Sequence, residues 1–156
     1  MCIRDSLDIA CGDGRNSLFL VQNNFNVTSV DFSCKALNRL KKFAERNNCF
    51  VDTKQIDLST TNSLKDIGIF DNILINHYRL RKEQLANIGN HIVDGGILFI
   101  SGFRYKHRVD SKIRKEDLIQ VTDFEDVNKL FELIKYIENK DDRGFFVTYI
   151  FRKNFS

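Results

Sequence analysis

Short apolar runs alternate with longer amphipathic stretches along the chain, and the two periodicities predict alternating strands and helices. Residues 6–10 read as a first strand, and residues 15–22, with Leu18, Phe19 and Val21 apolar, as a helix. The β-branched stretch 26–30 predicts a second strand. Residues 35–46 place Ala36, Leu37, Leu40, Phe43 and Ala44 at helical spacing, with Ser33 as N-cap. A strand at 51–56 precedes a short helical stretch at 61–65. Residues 70–76 carry Ile73, Leu74 and Ile75 in an unbroken run, the mark of a central strand covered on both faces. A helix over 82–92, a turn at Asp94-Gly95-Gly96 and a strand at 97–101 follow. A helix over 123–130 leads to strands at 131–138 and 145–152, joined by the hairpin-like turn Asn139-Lys140-Asp141-Asp142-Arg143-Gly144.

Repeated β-then-α units closed by a hairpin predict a doubly wound, Rossmann-like α/β fold. Its sheet should have roughly seven strands, mostly parallel with the last antiparallel, flanked by helices. Ligands of such sheets sit beyond the carboxyl ends of the strands, where strand order reverses. The chemistry is therefore expected just after strands.

Composition narrows the class. The 156 residues suit one domain, and 42% hydrophobic with 29% charged residues is ordinary for a globule. Residues 1–6 resemble translated adapter sequence, so they are expected to be a non-native leader, with residues 7–156 forming the domain and native residues lying upstream. Cys2, Cys11, Cys34 and Cys49 form no C-x-x-C pair and no zinc-like spacing with histidine, and His91 and His107 carry no metal pattern. Free thiols, no metal and a cytoplasmic setting are expected. No apolar run approaches the ~18–20 residues of a membrane span, so no membrane partner is expected. A net charge of +3 is too small to argue for nucleic acid, which is disfavoured without being excluded. Oligomeric state is left open.

The candidate chemistry begins in Asp8-Ile9-Ala10-Cys11-Gly12-Asp13-Gly14-Arg15-Asn16. Glycines after a strand let the backbone turn sharply and approach a ligand, and the next helix offers its N-terminal amides. A dinucleotide fold wants G-x-G-x-x-G, and here the third glycine is Ser17. It also wants apolar residues where Asp8 stands. A carboxylate there can orient the loop or meet an ammonium group, which S-adenosylmethionine has and NAD lacks. Asp31 closes the second strand, where a carboxylate accepts from both ribose hydroxyls. Asp57 closes the third, placed to accept from an adenine amino group, with the Leu58 amide and the Phe32 ring facing the base. Cys11 reads as a small buried apolar residue rather than a nucleophile, since no His–acid pair surrounds it.

The run Asp8-x-Ala10-Cys11-Gly12-x-Gly14-Arg15-Asn16, followed by Val30-Asp31-x-Ser33, resembles the small bacterial class I methyltransferases, including the tellurite-resistance type. The likeness continues through Phe70-Asp71-Asn72-Ile73, Asn76-His77-Tyr78-Arg79-Leu80 and Asp94-Gly95-Gly96-Ile97-Leu98. It implies S-adenosylmethionine as cofactor, held by Asp8, Ala10, Cys11, Gly12, Gly14, Asn16, Asp31, Phe32, Asp57, Leu58 and Asn76. It also implies that His77 and Tyr78 face the methyl donor as candidate catalytic groups. Ala10 departs from the family's first loop glycine, and, with the first strand at residues 6–10, the helices that in the family precede it and cover the cofactor are expected to lie outside these 156 residues. Two alternatives stay open: a cofactor-binding fragment or partner subunit without activity of its own, and, less favoured, a dinucleotide-dependent oxidoreductase.

The loops after the fourth and fifth strands are basic: Arg79, Arg81 and Lys82, then Arg104, Lys106, His107, Arg108, Lys112, Arg114 and Lys115, with Phe103 and Tyr105 between. Converging cations predict a small-molecule, anionic acceptor; a solvated basic loop is the plain alternative. Methyl transfer from a sulfonium is an in-line displacement, so alignment matters most, and a base is needed only if the acceptor must lose a proton.

Overall fold

A computed structural model describes residues 4–60, 62–104, 119, 121–141 and 144–156 of the chain. These residues form one seven-stranded sheet in the order β3-β2-β1-β4-β5-β7-β6. The strands are β1 (Asp5–Ile9), β2 (Asn26–Asp31), β3 (Asp52–Gln55), β4 (Phe70–Asn76), β5 (Ile92–Arg104), β6 (Phe131–Asp141) and β7 (Gly144–Lys153). β1 pairs in parallel with β2 and β4, as do β2 with β3 and β4 with β5. β7 runs antiparallel between β5 and β6. The chain therefore leaves one edge at β3 and restarts at β4, making the carboxyl ends of β1 and β4 the switch point.

The register explains which side chains are core and which are chemistry. Leu7 lies opposite Ile73 and Ile9 opposite Ile75, and all four are fully buried in the main apolar cluster with Leu58, Leu80, Leu85 and Ile88. Alternation along β1 then turns Ser6 and Asp8 to the other face, where helix α1 (Arg15–Gln22) lies. Helix α2 (Cys34–Arg46) is capped by Ser33, whose hydroxyl accepts from Ala36 N at 3.2 Å, and buries Ala36, Leu37, Leu40 and Ala44. Phe19 and Phe43, expected on the apolar faces of these helices, are instead 65% and 50% exposed, and the Arg46 guanidinium lies 5.9 Å from the Phe43 ring.

Four expected elements take other forms. The stretch 62–66 is a set of single turns, not a helix; Asn62 adopts a left-handed φ of 60°, and Lys65 N donates to Asn62 O at 3.1 Å. A stretch so short and polar cannot offset helix nucleation. The expected helix over 82–92 ends as helix α3 (Lys82–Asn87), followed by a 3₁₀ turn (Ile88–His91) around Gly89 and Asn90. Asp94-Gly95-Gly96 lies inside β5, where the pairing with β4 jumps from Ile92 to Ile97; the predicted turn is realised as a bulge. The stretch 123–130 likewise splits into a 3₁₀ turn (Val121–Phe124) and helix α4 (Val127–Leu130). The hairpin strands run longer than expected, to Asp141 and from Gly144. Among the described residues no helix is long and apolar enough to cross a membrane.

Candidate functional site

The loop between β1 and α1 is tied to β2 at successive residues. Cys11 N donates to Val30 O at 3.0 Å, and Gly12 N donates to Asp31 Oδ2 at 2.9 Å. The other Asp31 oxygen accepts from Ser33 N at 2.8 Å, so one carboxylate fixes both the glycine loop and the turn into α2. Ala10, Gly12 and Gly14 all adopt positive φ, at 57°, 56° and 84°.

The two glycines serve different ends. A Cβ built on Gly12 would meet nothing within 4 Å, so this backbone faces open space. A Cβ on Gly14 would lie 2.3 Å from Leu40 Cδ1, so this glycine lets the start of α1 close onto α2. Of the residues assigned to the cofactor, Gly14 is the one that packs inside the protein rather than lining the crevice.

Two adjoining hollows share Ala10. One, of about 330 Å³, is lined by Asp8, Ala10, Cys11, Gly12, Asn16, Asn76 and His77 among others. The second, of about 440 Å³, is lined by Ala10, Asp31, Phe32, Asp57, Leu58, Ser59 and Tyr78. The sequence-nominated residues other than Gly14 thus line one or the other of two adjoining hollows at the carboxyl ends of β1, β2 and β4 and the turn after β3.

Burial sets the electrostatics of the first hollow. Asp8 is 1% exposed, and desolvation, with Asp31 adding repulsion, pushes its carboxyl up to about 6 against the pull of Ser17. Desolvation beside Asp8 and Asp31 pushes the Cys11 thiol up to about 12, which keeps it protonated and unreactive. At the far end Asp57 is exposed, and Ser59, through its hydroxyl at 2.5 Å and its amide at 2.9 Å, holds the Asp57 carboxyl below its usual range. Phe32 is 69% exposed over this hollow.

At the end of β4, Asn76 Oδ1 accepts from the Ser101 hydroxyl on β5. His77 takes a left-handed φ of 57°, donates its amide to Ser101 O at 2.9 Å, and sets its ring 5.0 Å from Phe146 and 5.8 Å from Phe103. Tyr78 is half-buried against the main core. Two of the basic residues expected to collect an anion are committed elsewhere. Arg79 grips Asp123 through Nε at 2.9 Å and Nη2 at 2.7 Å, and Lys82 pairs with Glu125 at 2.9 Å. Tyr105, Lys106, His107, Arg108, Lys112, Arg114 and Lys115 lie outside the described residues, as does the side chain of Arg104. No cluster of metal-ligating side chains occurs among the described residues.

Three serines that sequence reasoning did not assign complete the site. Ser17 donates to Asp8 Oδ2 at 2.6 Å and shares a 2.6 Å hydrogen bond with Ser29, and Ser101 fixes Asn76. Ser17 had a visible signal, a hydroxyl in place of the third loop glycine. Ser29 and Ser101 had none, because their partners follow from strand register.

A switch-point crevice with a glycine loop and strand-end acids on a sheet of this order defines the Rossmann-like fold of the class I methyltransferases. Residues 2–142 match the family described as tellurite resistance protein TehB, and the chain belongs to that family. It is 24% identical over 136 residues to the probable S-adenosyl-L-methionine-dependent methyltransferase TehB of Haemophilus influenzae, covering 85% of this chain and 48% of that protein. The crystal structure of TehB from Haemophilus influenzae superposes with a TM-score of 0.79 at 23% identity, over 99% of this chain and 59% of the other. The N-methyltransferase NodS of Bradyrhizobium japonicum in complex with S-adenosyl-l-homocysteine gives a TM-score of 0.73 at 17% identity, over 97% and 79%. The chain spans about half the length of the curated TehB proteins it matches.

Proposed function

We propose that this chain holds S-adenosylmethionine in the crevice and serves its transfer as a methyl donor to a small-molecule acceptor. The reading rests on one observation: two hollows that share Ala10 in their linings, with Asp31 of one bonded to Gly12 of the other. Their lining suits an aminoacyl nucleoside along its length. Gly12 offers open backbone for close approach. Asp8 puts negative charge under the ammonium end, and Asn76, with its carbonyl taken by Ser101, has its NH₂ to offer the carboxylate. Each Asp31 oxygen keeps a lone pair beyond the amide it binds, which suits the two ribose hydroxyls. Phe32 supplies a ring face for adenine, and Asp57 with the Leu58 amide suits its polar edge.

When bound, the cofactor supplies a methyl group already activated on a sulfonium sulfur. The residues of this chain then have to align, shield and, where required, accept a proton. His77 lines the first hollow and Tyr78 the second, and these are the groups at hand if the acceptor must be deprotonated. With Arg79 and Lys82 held in ion pairs, an anionic acceptor would depend on the remaining loop cations.

Isothermal titration with S-adenosylmethionine, S-adenosylhomocysteine and NAD tests the reading. Micromolar binding of S-adenosylhomocysteine that Asp31→Ala abolishes is the expected result. Binding of NAD alone, or silence with all three ligands, overturns it.

A further inference from the structure

The face of β1 opposite the core carries a chain of buried polar side chains that crosses three elements. Asp8 on β1, Ser17 on α1 and Ser29 on β2 are 1%, 0% and 0% exposed. Ser17 Oγ lies 2.6 Å from Asp8 Oδ2 and 2.6 Å from Ser29 Oγ, and Asp8 and Ser29 are direct neighbours in the β1–β2 register. Ser17 sits in the first turn of the helix that the glycine loop opens, so the chain ties that helix to the floor of the cofactor crevice.

The proton count gives this chain a direction. A hydroxyl has one hydrogen to donate and two lone pairs to accept with. When Asp8 is ionised it can only accept; Ser17 must then spend its hydrogen on Asp8, and Ser29 must donate to Ser17. When Asp8 is protonated the order can reverse, from Asp8 to Ser17 to Ser29. Ser17 therefore stabilises the charged acid directly, and Ser29 supports it at one remove by donating to Ser17.

We propose that Ser17 is a positioning residue for cofactor binding, which holds the Asp8 carboxylate ionised and oriented under the ammonium end of the crevice, with Ser29 setting the direction of the hydrogen bonds. The inference rests on the cofactor reading above. It explains why a hydroxyl stands where a dinucleotide loop has its third glycine: the position supplies a donor to a buried charge as well as a close helix–strand contact. The charged and titratable groups around Asp8 are few. Asp31 on β2 adds repulsion; Cys11 in the loop is a protonated thiol; the exposed Asp13–Arg15 pair, with its 3.3 Å contact, and His77 after β4 line the same hollow. Burial raises the Asp8 carboxyl to about 6, close enough to neutrality for one hydrogen bond to decide its charge.

The test has one arm that needs no ligand. Carboxyl ¹³C NMR of the free protein, with Asp8→Asn identifying the resonance, gives the Asp8 titration in wild type, Ser17→Ala, Ser17→Cys and Ser29→Ala. Losing a hydrogen bond to a charged group corresponds to about one pKa unit or more. Ser17→Ala should therefore move the midpoint up by about one unit, and Ser17→Cys, a weaker donor, by less. Ser29→Ala, which removes only the donor to Ser17, should move it up by less than Ser17→Ala does. The second arm is the affinity for S-adenosylhomocysteine against pH. Its acid limb should move up with the midpoint in Ser17→Ala, and affinity at alkaline pH should stay within about threefold of wild type, where Asp8 is charged in both. Equal upward shifts in Ser17→Ala and Ser29→Ala, or a uniform loss of affinity at every pH, would show that the serines only fill space. Absence of ligand binding in the wild type would instead count against the cofactor reading and leave the NMR arm to judge Ser17. Circular dichroism melts identify any variant that fails to fold, and Ser17→Cys, which keeps a hydrogen-bonding group, is the substitute for Ser17→Ala in that case.

Discussion

The two loop glycines should respond to the same substitution differently, Gly14 mainly in stability and Gly12 mainly in binding. Gly14→Ala places a methyl group 2.3 Å from Leu40 Cδ1, and Leu40 is fully buried in the α1–α2 packing, so it has little room to yield. Overpacking of this kind costs about 1–3 kcal/mol. A left-handed φ of 84° adds about 1–2 kcal/mol for a residue with a Cβ. The sum, about 2–5 kcal/mol, is a large part of a domain's stability of roughly 5–15 kcal/mol. It corresponds to a melting temperature lower by about 4–20 °C at this chain length. Gly12→Ala carries the left-handed cost alone, because nothing lies within 4 Å of its added carbon. Ala10 already tolerates a φ of 57° two residues earlier. Its melting temperature should fall by only about 2–8 °C. Its new methyl group, however, occupies the crevice, and the affinity for S-adenosylhomocysteine should drop by about tenfold or more, the equivalent of one lost hydrogen bond or a small clash. Differential scanning fluorimetry and isothermal titration on both variants read the two effects separately. The reasoning fails if Gly12→Ala is the less stable of the pair, or if it folds and binds like the wild type.

Asp8→Asn should stabilise the fold at neutral pH. The Asp8 carboxyl sits at about 6 in the folded chain against 3.8 unfolded, so the native state binds the proton more tightly; the stabilising protonation is complete below pH 4 and is lost as pH rises through 6. Urea unfolding across pH 4–8 should show wild-type stability falling by about 3 kcal/mol relative to the variant, and a flat difference would contradict the burial argument. Asp123→Asn removes the charge from a largely buried partner of Arg79, whose own side chain is 30% exposed, and should cost about 1–3 kcal/mol in the same assay, with a wild-type midpoint counting against the pair.

Most of the architecture was legible because the hydrophobic pattern and the sheet agree. The unbroken Ile73-Leu74-Ile75 run marked β4, and Ser33 marked the start of α2. What escaped the sequence were features set by pairing rather than by local pattern. Asp94-Gly95-Gly96 has the residues of a turn, but β4 and Phe155 close on it and fold it into β5 as a bulge. The grouping of the candidate site was legible from strand position: Asp8 within β1, Asp31 at the end of β2 and Asp57 after β3 line two adjoining hollows. Its internal wiring was not. Ser29 became a partner of Ser17 only through the β1–β2 register, and Arg79 was withdrawn from the crevice by an aspartate 44 residues downstream.

The proposed seat of the cofactor runs from Asn76 and His77 past Gly12 to Asp57. Amide NMR during titration with S-adenosylhomocysteine tests it most directly. Saturable shifts concentrated at Gly12, Asn16, Asp31, Ser33, Leu58 and His77 are expected. Saturable binding that leaves these amides still and moves those of the separate hollow lined by Lys65, Gln84, Asn87 and His91 would contradict it.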